Sequence, residues 1–234
     1  MQQQYHIGII PDGNRRWARE RNLSDKEGHK HGSIVVKDAI EWALKKPEIK
    51  EVSIYILSEE NFNRSKEELK WLNAVYSEGL NDLRHREFIR KLKVRVKMIS
   101  TKPEKLDSEV KKVFKSLHSE TKIYSNKVLN ILIGYTGKSE ILAAINKPLN
   151  KIKNLFFGLT EKDILKGMQI QSSCDFIIRS SFEEAERESK SGFLIWQSAY
   201  SEYYNIPKHW GDVTTDDLEK AWNYFLETKR NHGN

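Results

Sequence analysis

Five short runs rich in β-branched and large apolar residues recur along the chain: Tyr5–Ile10, Glu51–Leu57, Val94–Ile99, Val128–Ile133 and Asp175–Ile178. Each has the length and composition of a strand. Between them lie stretches whose apolar residues repeat at helical spacing, such as Gly32–Lys46 with Ile34, Val35, Ala39, Ile40, Trp42 and Ala43. Strand followed by helix, repeated in this order, predicts a parallel sheet with helices on its faces. Further helices are expected over Arg16–Arg21, interrupted by Asn22–Gly28, then from a capping-box pattern at Ser65 and Glu68 to about Lys91, and over Ser108–Lys122, Lys138–Ile152 and Thr214–Lys229. Phe193–Trp196 reads as one more short strand.

No linker, repeat or low-complexity tract divides the 234 residues, so a single α/β domain over 1–234 is expected. The single cysteine, Cys174, excludes an intrachain disulfide and a cysteine-rich zinc site, and its place before an apolar stretch predicts a buried thiol. No apolar run approaches the ~20 residues of a membrane span, and the N-terminus lacks the pattern of a signal peptide, so the expected location is cytoplasmic. Lys and Arg number 40 against 33 Asp and Glu, a balance that suits anionic partners. Nucleic acid is not the expected one: no recognisable binding module is present, and the cations gather at predicted sheet ends.

That clustering is sharpest at Pro11-Asp12-Gly13-Asn14-Arg15-Arg16, where the first strand ends. Open parallel sheets bind ligands beyond the carboxyl ends of their strands. A helix N-terminus, a glycine that admits close approach, and Arg15, Arg16 and Arg19 make a phosphate cradle. Asp12 would repel a phosphate unless Mg²⁺ bridges the two. The same residues also read as ordinary turn and cap chemistry. A second polar cluster, Ser58 to Arg64, follows the second strand, and Asn61 and Arg64 can face the same ligand as Arg16. The segment 180–192 is the one long polar loop, a length more often functional than idle.

These residues carry a resemblance. DGNRRWA (12–18), GHKHG (28–32), YILSEENFNRSKEE (55–68), GYTGKSEI (134–141), DFIIRSS (175–181) and LIWQSAYSEYY (194–204) resemble, in order, the motif blocks of the cis-prenyltransferase family, the undecaprenyl diphosphate synthases. The resemblance implies a fold with a mostly parallel sheet and helices that enclose an apolar tunnel. It implies condensation of isopentenyl diphosphate with an allylic prenyl diphosphate, and Mg²⁺ as cofactor. Asp12 and Glu202 would hold the metal, Glu202 reaching across a homodimer. Asp12, His29 and Asn61 would serve the reacting centre. Gly13, Asn14, Arg15, Arg16, Trp17, Phe62 and Arg64 would bind the allylic substrate. Arg179 with Arg187 and Ser189, or with Lys190 and Ser191, would bind the isopentenyl diphosphate. Trp42, Ala43, Leu69, Leu72 and Val75 are candidates for the tunnel wall, or plain core. An apolar product also brings peripheral membrane contact at its release into view.

The sequence departs from the family pattern at four places. Asp25 stands where an arginine is usual, Phe62 where tryptophan is usual, and Gly134 where asparagine is usual. The loop after Arg179 is longer than the family's. The changes gather on the isopentenyl side. They allow an irregular or short-chain condensation using dimethylallyl diphosphate, as in lavandulyl-type relatives, or a non-catalytic partner subunit.

Overall fold

The computed structural model describes residues 3–181 and 190–228. Its strands are β1 Tyr5–Ile10, β2 Ile49–Ser58, β3 Val94–Ile99, β4 Lys127–Tyr135, β5 Phe176–Ser180 and β6 Glu202–Ile206. Its α-helices are α1 Asn14–Arg19, α2 Asp25–Lys45, α3 Lys66–His85, α4 Glu87–Lys91, α5 Ser108–Thr121, α6 Gly137–Ile145, α7 Pro148–Phe157, α8 Glu161–Gly167 and α9 Thr215–Glu227. The described strands form one sheet in the order β3-β4-β2-β1-β5-β6, every pair parallel. The expected α/β class holds.

Strand alternation sorts the side chains onto two faces. Ile7, Ile9, Ile54, Ile131, Ile133 and Ile178 join a core covered by α2, α3, α5 and α9. Ile10, Tyr55, Leu132 and Ile177 join a smaller core on the other face, with Cys174 buried among them. The chain leaves β1 for β2 on one side and returns later to pair β5 on the other side. The carboxyl ends of β1, β2 and β5 therefore flank a switch in strand order, where such sheets open a crevice.

Four expectations change. Helix α2 begins at Asp25, within the expected interruption, because Ser24 and Glu27 close a reciprocal capping box. The long helix expected from Ser65 to Lys91 breaks at Arg86, and the one over Lys138–Ile152 breaks at Lys147, ahead of Pro148. Phe193–Trp196 is not a strand. Ser191, Gly192 and Leu194 all have positive φ (48°, 78° and 37°), which turns the chain across the sheet instead of along it. Phe193 then packs on Gly8 of β1, where a Cβ would stand 2.5 Å from its ring. The sixth strand is Glu202–Ile206.

The smaller core is tied by one carboxylate. Glu140 of α6 is 2% exposed and accepts from the Tyr135 hydroxyl at 2.6 Å, Gln197 Nε2 at 3.1 Å and the Gln169 backbone N–H at 2.9 Å. Three segments distant in sequence meet on that group. Removing it strands several buried donors, each of which is expensive to leave unpaired. Glu140→Ala is therefore expected to lower the unfolding free energy by about 3 kcal/mol in urea titration. A loss within ordinary surface variation, below ~0.5 kcal/mol, would contradict this role.

Candidate active site

Asp12 lies just past the end of β1 and is held by its backbone as well as its side chain. Its N–H donates to Ser180 Oγ at 2.9 Å, and that hydroxyl donates back to the Asp12 carbonyl at 2.9 Å. The Trp210 N–H donates to the same carbonyl at 2.8 Å. Gly13 caps α1 with φ 95°, a conformation that favours glycine, and a Cβ there would meet His209 Nδ1 at 2.8 Å. The turn is thus fixed from β5 on one side and from residues 209–210 on the other.

The Asp12 carboxylate faces two arginines. Arg179 Nη2 donates to Oδ2 at 2.6 Å, and Arg16 Nη2 lies 3.4 Å from Oδ1. Burial alone would raise the Asp12 pKa. The Arg179 hydrogen bond and charge, then the Arg16 charge and the Gly13 N–H, reverse that and hold it below the usual carboxylate range. Arg179, buried near the end of strand β5, also donates to Ser191 Oγ at 3.1 Å. One guanidinium therefore joins the β1 turn to the segment after the long loop.

A second basic group sits across the mouth. Arg64 donates to Glu68 Oε1 at 2.9 Å, and Arg15 lies 3.9 Å from the same oxygen. Glu68 was expected to close a capping box with Ser65. Its backbone N–H does bond Ser65 Oγ, but its carboxylate serves the arginines instead. His29, on α2, tilts against Trp71 of α3, and its Nε2 is buried with no hydrogen-bond partner. Burial first, then the charges of Arg64 and Arg15, lowers its pKa to about 4. Gly28 and Gly32 flank it and let α2 approach α1: Cβ atoms there would meet the Asn14 carbonyl oxygen at 2.3 Å and Asn14 Oδ1 at 2.1 Å. Asn14 Oδ1 is itself buried and unpartnered.

Behind this mouth runs a narrow apolar cavity of about 80 Å³ between α2, α3, β2 and β4. Asn14 and His29 border it at the top; Val36, Ile40, Val75, Leu80 and Ile131 are among its walls.

Several predicted residues lie elsewhere. Trp17 does not face the cavity. Its indole is buried, donates to Asp212 Oδ1 at 2.8 Å and stacks on His31 at 4.2 Å, bracing α1 against residues 209–213. Phe62 packs on Gly134, whose φ is 57° and where a Cβ would stand 2.6 Å from the ring, so these two departures from the family pattern fit one another. Asn61 lies half-buried on the 3-10 turn Glu59–Asn63, outside the cavity lining. Arg19 is not part of the cradle; it pairs with Asp25 at 3.0 Å, the acid that replaces the usual arginine. Of the five candidate wall residues only Val75 lines the cavity. Ala43 and Leu72 are buried core, and Trp42 donates to Glu219 on α9. Arg187 and Ser189 lie outside the described residues. Lys190 bonds the Ser198 carbonyl, which leaves Ser191 as the described partner of Arg179 from that pair.

Glu202 is not brought to Asp12 within one chain. It pairs in register with Phe176, and Phe176 with Ile7, so it lies five residues back along the sheet from Asp12, roughly 16 Å. Parallel pairing places it at the sheet's amino end. Among the described residues no three His, Cys, Asp or Glu side chains gather as a metal cage. The Asp12 carboxylate, ionised and facing the mouth, fits a Mg²⁺ that takes one protein carboxylate and completes its shell with substrate oxygens and water.

The comparisons agree with this geometry. The family model for undecaprenyl diphosphate synthase matches residues 10–233. The chain belongs to this prenyltransferase family. A tritrans,polycis-undecaprenyl-diphosphate synthase (GGDP specific) of Sulfolobus acidocaldarius is 37% identical, over 98% of this chain and 87% of that one. An isoprenyl transferase of Thermotoga maritima is 33% identical, over 97% and 96%. The crystal structure of lavandulyl diphosphate synthase from Lavandula x intermedia, in complex with dimethylallyl diphosphate, has a TM-score of 0.87 at 26% identity and covers 98% of both chains. The chain is a cis-prenyltransferase by family, and its fold is that of these enzymes.

The lowered pKa of His29 gives a test. In the folded prenyltransferase the ring stays neutral down to about pH 4, whereas the unfolded chain takes up the proton near 6.5. The unfolded state binds more protons between those values, so this group's contribution to stability rises with pH across that window. An NMR titration assigned by His29→Gln is expected to show a ring midpoint near 4. A midpoint at or above 6.5 would contradict the buried, cation-faced setting.

Proposed function

We propose that the enzyme condenses isopentenyl diphosphate with an allylic prenyl diphosphate, with Mg²⁺, to give a Z-prenyl diphosphate. The observation that carries this reading is the junction of two basic groups with an apolar cavity: the diphosphate and the hydrocarbon of one substrate find their surroundings side by side. Breaking the allylic C–O bond leaves negative charge on diphosphate and positive charge on carbon. Arg15, Arg16 and Arg64 would stabilise the departing diphosphate, and Gly13 and Asn14 would offer it first-turn N–H groups of α1 that no side chain caps. Mg²⁺, held by Asp12 with Glu202 supplied by a second copy, would act as a Lewis acid on the diphosphate oxygens. Arg179 and Ser191 hold the isopentenyl diphosphate beside Asp12. Neutral His29 adds no charge to the mouth and presents Nε2 to the reacting end of the cavity.

Irregular condensation from dimethylallyl diphosphate is a second reading. It rests on Asp25 and Gly134 and on the likeness to the lavandulyl enzyme. A homodimer is supported by the groove of Ile141, Leu165, Ile195, Trp196 and Tyr200, the last three of which closely precede Glu202 in the chain. Cytoplasmic location is consistent with the described helices, none of which is long and apolar enough to cross a membrane.

Purified protein with Mg²⁺, labelled isopentenyl diphosphate and dimethylallyl, geranyl, farnesyl or geranylgeranyl diphosphate is expected to yield products extended by five-carbon units, read by mass spectrometry after dephosphorylation. Asp12→Ala is expected to lower kcat by roughly 10²–10³-fold. Product from dimethylallyl diphosphate alone would instead establish the irregular reaction. Absence of product with every donor would contradict both and favour a partner subunit.

A further inference from the structure

One charged side chain lies in the wall of the apolar cavity. Lys37 of α2 is 6% exposed, and its neighbours in the lining are Val36, Ile40, Leu80 and Leu83. The Asp12 and Arg64 chemistry does not use it. It stands eight residues after His29 on α2, about 12 Å further along the helix, and both line the cavity. Only Ile40 on α2 and Leu83 on α3 line the cavity below it on these two helices.

The lysine does not point its charge into the cavity. Its stem follows the wall, and Nζ passes between α2 and α3 to Asp82 Oδ2 at 2.7 Å. The Asp82 side chain is 52% exposed and is not part of the lining. A lysine can cover apolar surface with its stem while its head finds a partner at the rim. The Lys37 side chain as a whole is 8% exposed, so parting the helices would take a largely buried cation from its partner, which is disfavoured. One turn nearer the mouth, Ser33 faces Gly79, where a Cβ would stand 3.7 Å from the serine. Small residues there let the helices approach; Lys37 with Asp82 fastens them below along the cavity wall, and Arg86, at the end of α3, pairs with Asp38 and Glu41 of α2 at 3.3 Å beyond it.

The prenyl tail fills this cavity if the proposed function is right, and the inference rests on that reading. Each added unit extends the tail by roughly 5 Å, from four carbon–carbon bonds of about 1.5 Å. A tail of about two to three units reaches the level of Lys37. A longer one has a single helical turn of cavity left before it must push α2 from α3. We propose that the Lys37–Asp82 ion pair sets product length by fixing the separation of α2 and α3.

Asp82→Asn is the direct test, because Asp82 is half-exposed and outside the cavity lining, and the amide oxygen keeps an acceptor for Lys37 while removing the charge; a urea titration checks that the variant is folded. The longest product, by mass spectrometry, is expected to grow by at least one five-carbon unit. The rate of the first addition is expected to change less than about twofold. Lys37→Met, which keeps most of the stem and removes the charge, is expected to lengthen products as well. Glu78→Gln serves as control: it breaks the Lys30–Glu78 pair between the same helices, which is solvent-exposed on both sides and worth little. Its product range is expected to match the wild type. An unchanged product range in Asp82→Asn would overturn the proposal. So would equal lengthening in Glu78→Gln, which would mean that any tie between the helices does the same. Absence of product in the wild type would instead defeat the underlying reading of function.

Discussion

The contact between Asp12 and Arg179 organises the carboxyl end of the sheet. A carboxylate at the end of β1 meets a buried guanidinium on the neighbouring β5, and parallel register places the two there: Ile10 pairs with Arg179. Through that contact the β1 turn, the end of β5 and Ser191 are joined by one guanidinium. The backbone bonds of Asp12 to Ser180 and Trp210 hold the turn even when the carboxylate exchanges one partner for another. On the proposed function, a diphosphate that drew on Arg179 would leave Asp12 for a cation without moving the backbone that carries both.

Around this unit the site is assembled from close helix approach. Glycines at 28 and 32 bring α2 onto Asn14, and Gly134 receives Phe62. The arginines across the mouth depend on Glu68, which takes both Arg15 and Arg64 on one oxygen. Their positive field and the burial of the ring keep His29 neutral. Beneath them the same two helices that position His29 and Glu68 form the cavity walls.

Much of the scaffold was legible because its signals are local. Strands β1 to β4 announce themselves by β-branched runs, and α9 by a capping box at Thr214 and Asp217 that the structure closes. Ser24 and Glu27 carried the same signal for α2, yet the polar run around them reads as a loop. A four-residue apolar run such as Phe193–Trp196 has no period long enough to separate strand from turn, and only backbone geometry reveals the positive φ of Leu194. The cations of the mouth were legible as a cluster at two strand ends. The part of Glu68 was not, because a capping-box glutamate and an arginine partner look alike in sequence. Trp17 and Lys37 exchange the roles their types suggest, since the tryptophan braces the scaffold while the lysine lines the cavity; pairing with Asp212 and Asp82 across long chain separations decides both.

If the Asp12–Arg179 contact organises the site, the two residues act as one unit in the reaction. A double-mutant cycle in kcat/KM with Asp12→Asn, Arg179→Gln and the pair, using isopentenyl diphosphate and the best allylic donor, tests this most directly. Residues that act together are strongly non-additive, so the double variant is expected to lose little more than the worse single one. Losses that simply multiply would show two independent contributions and contradict the central claim.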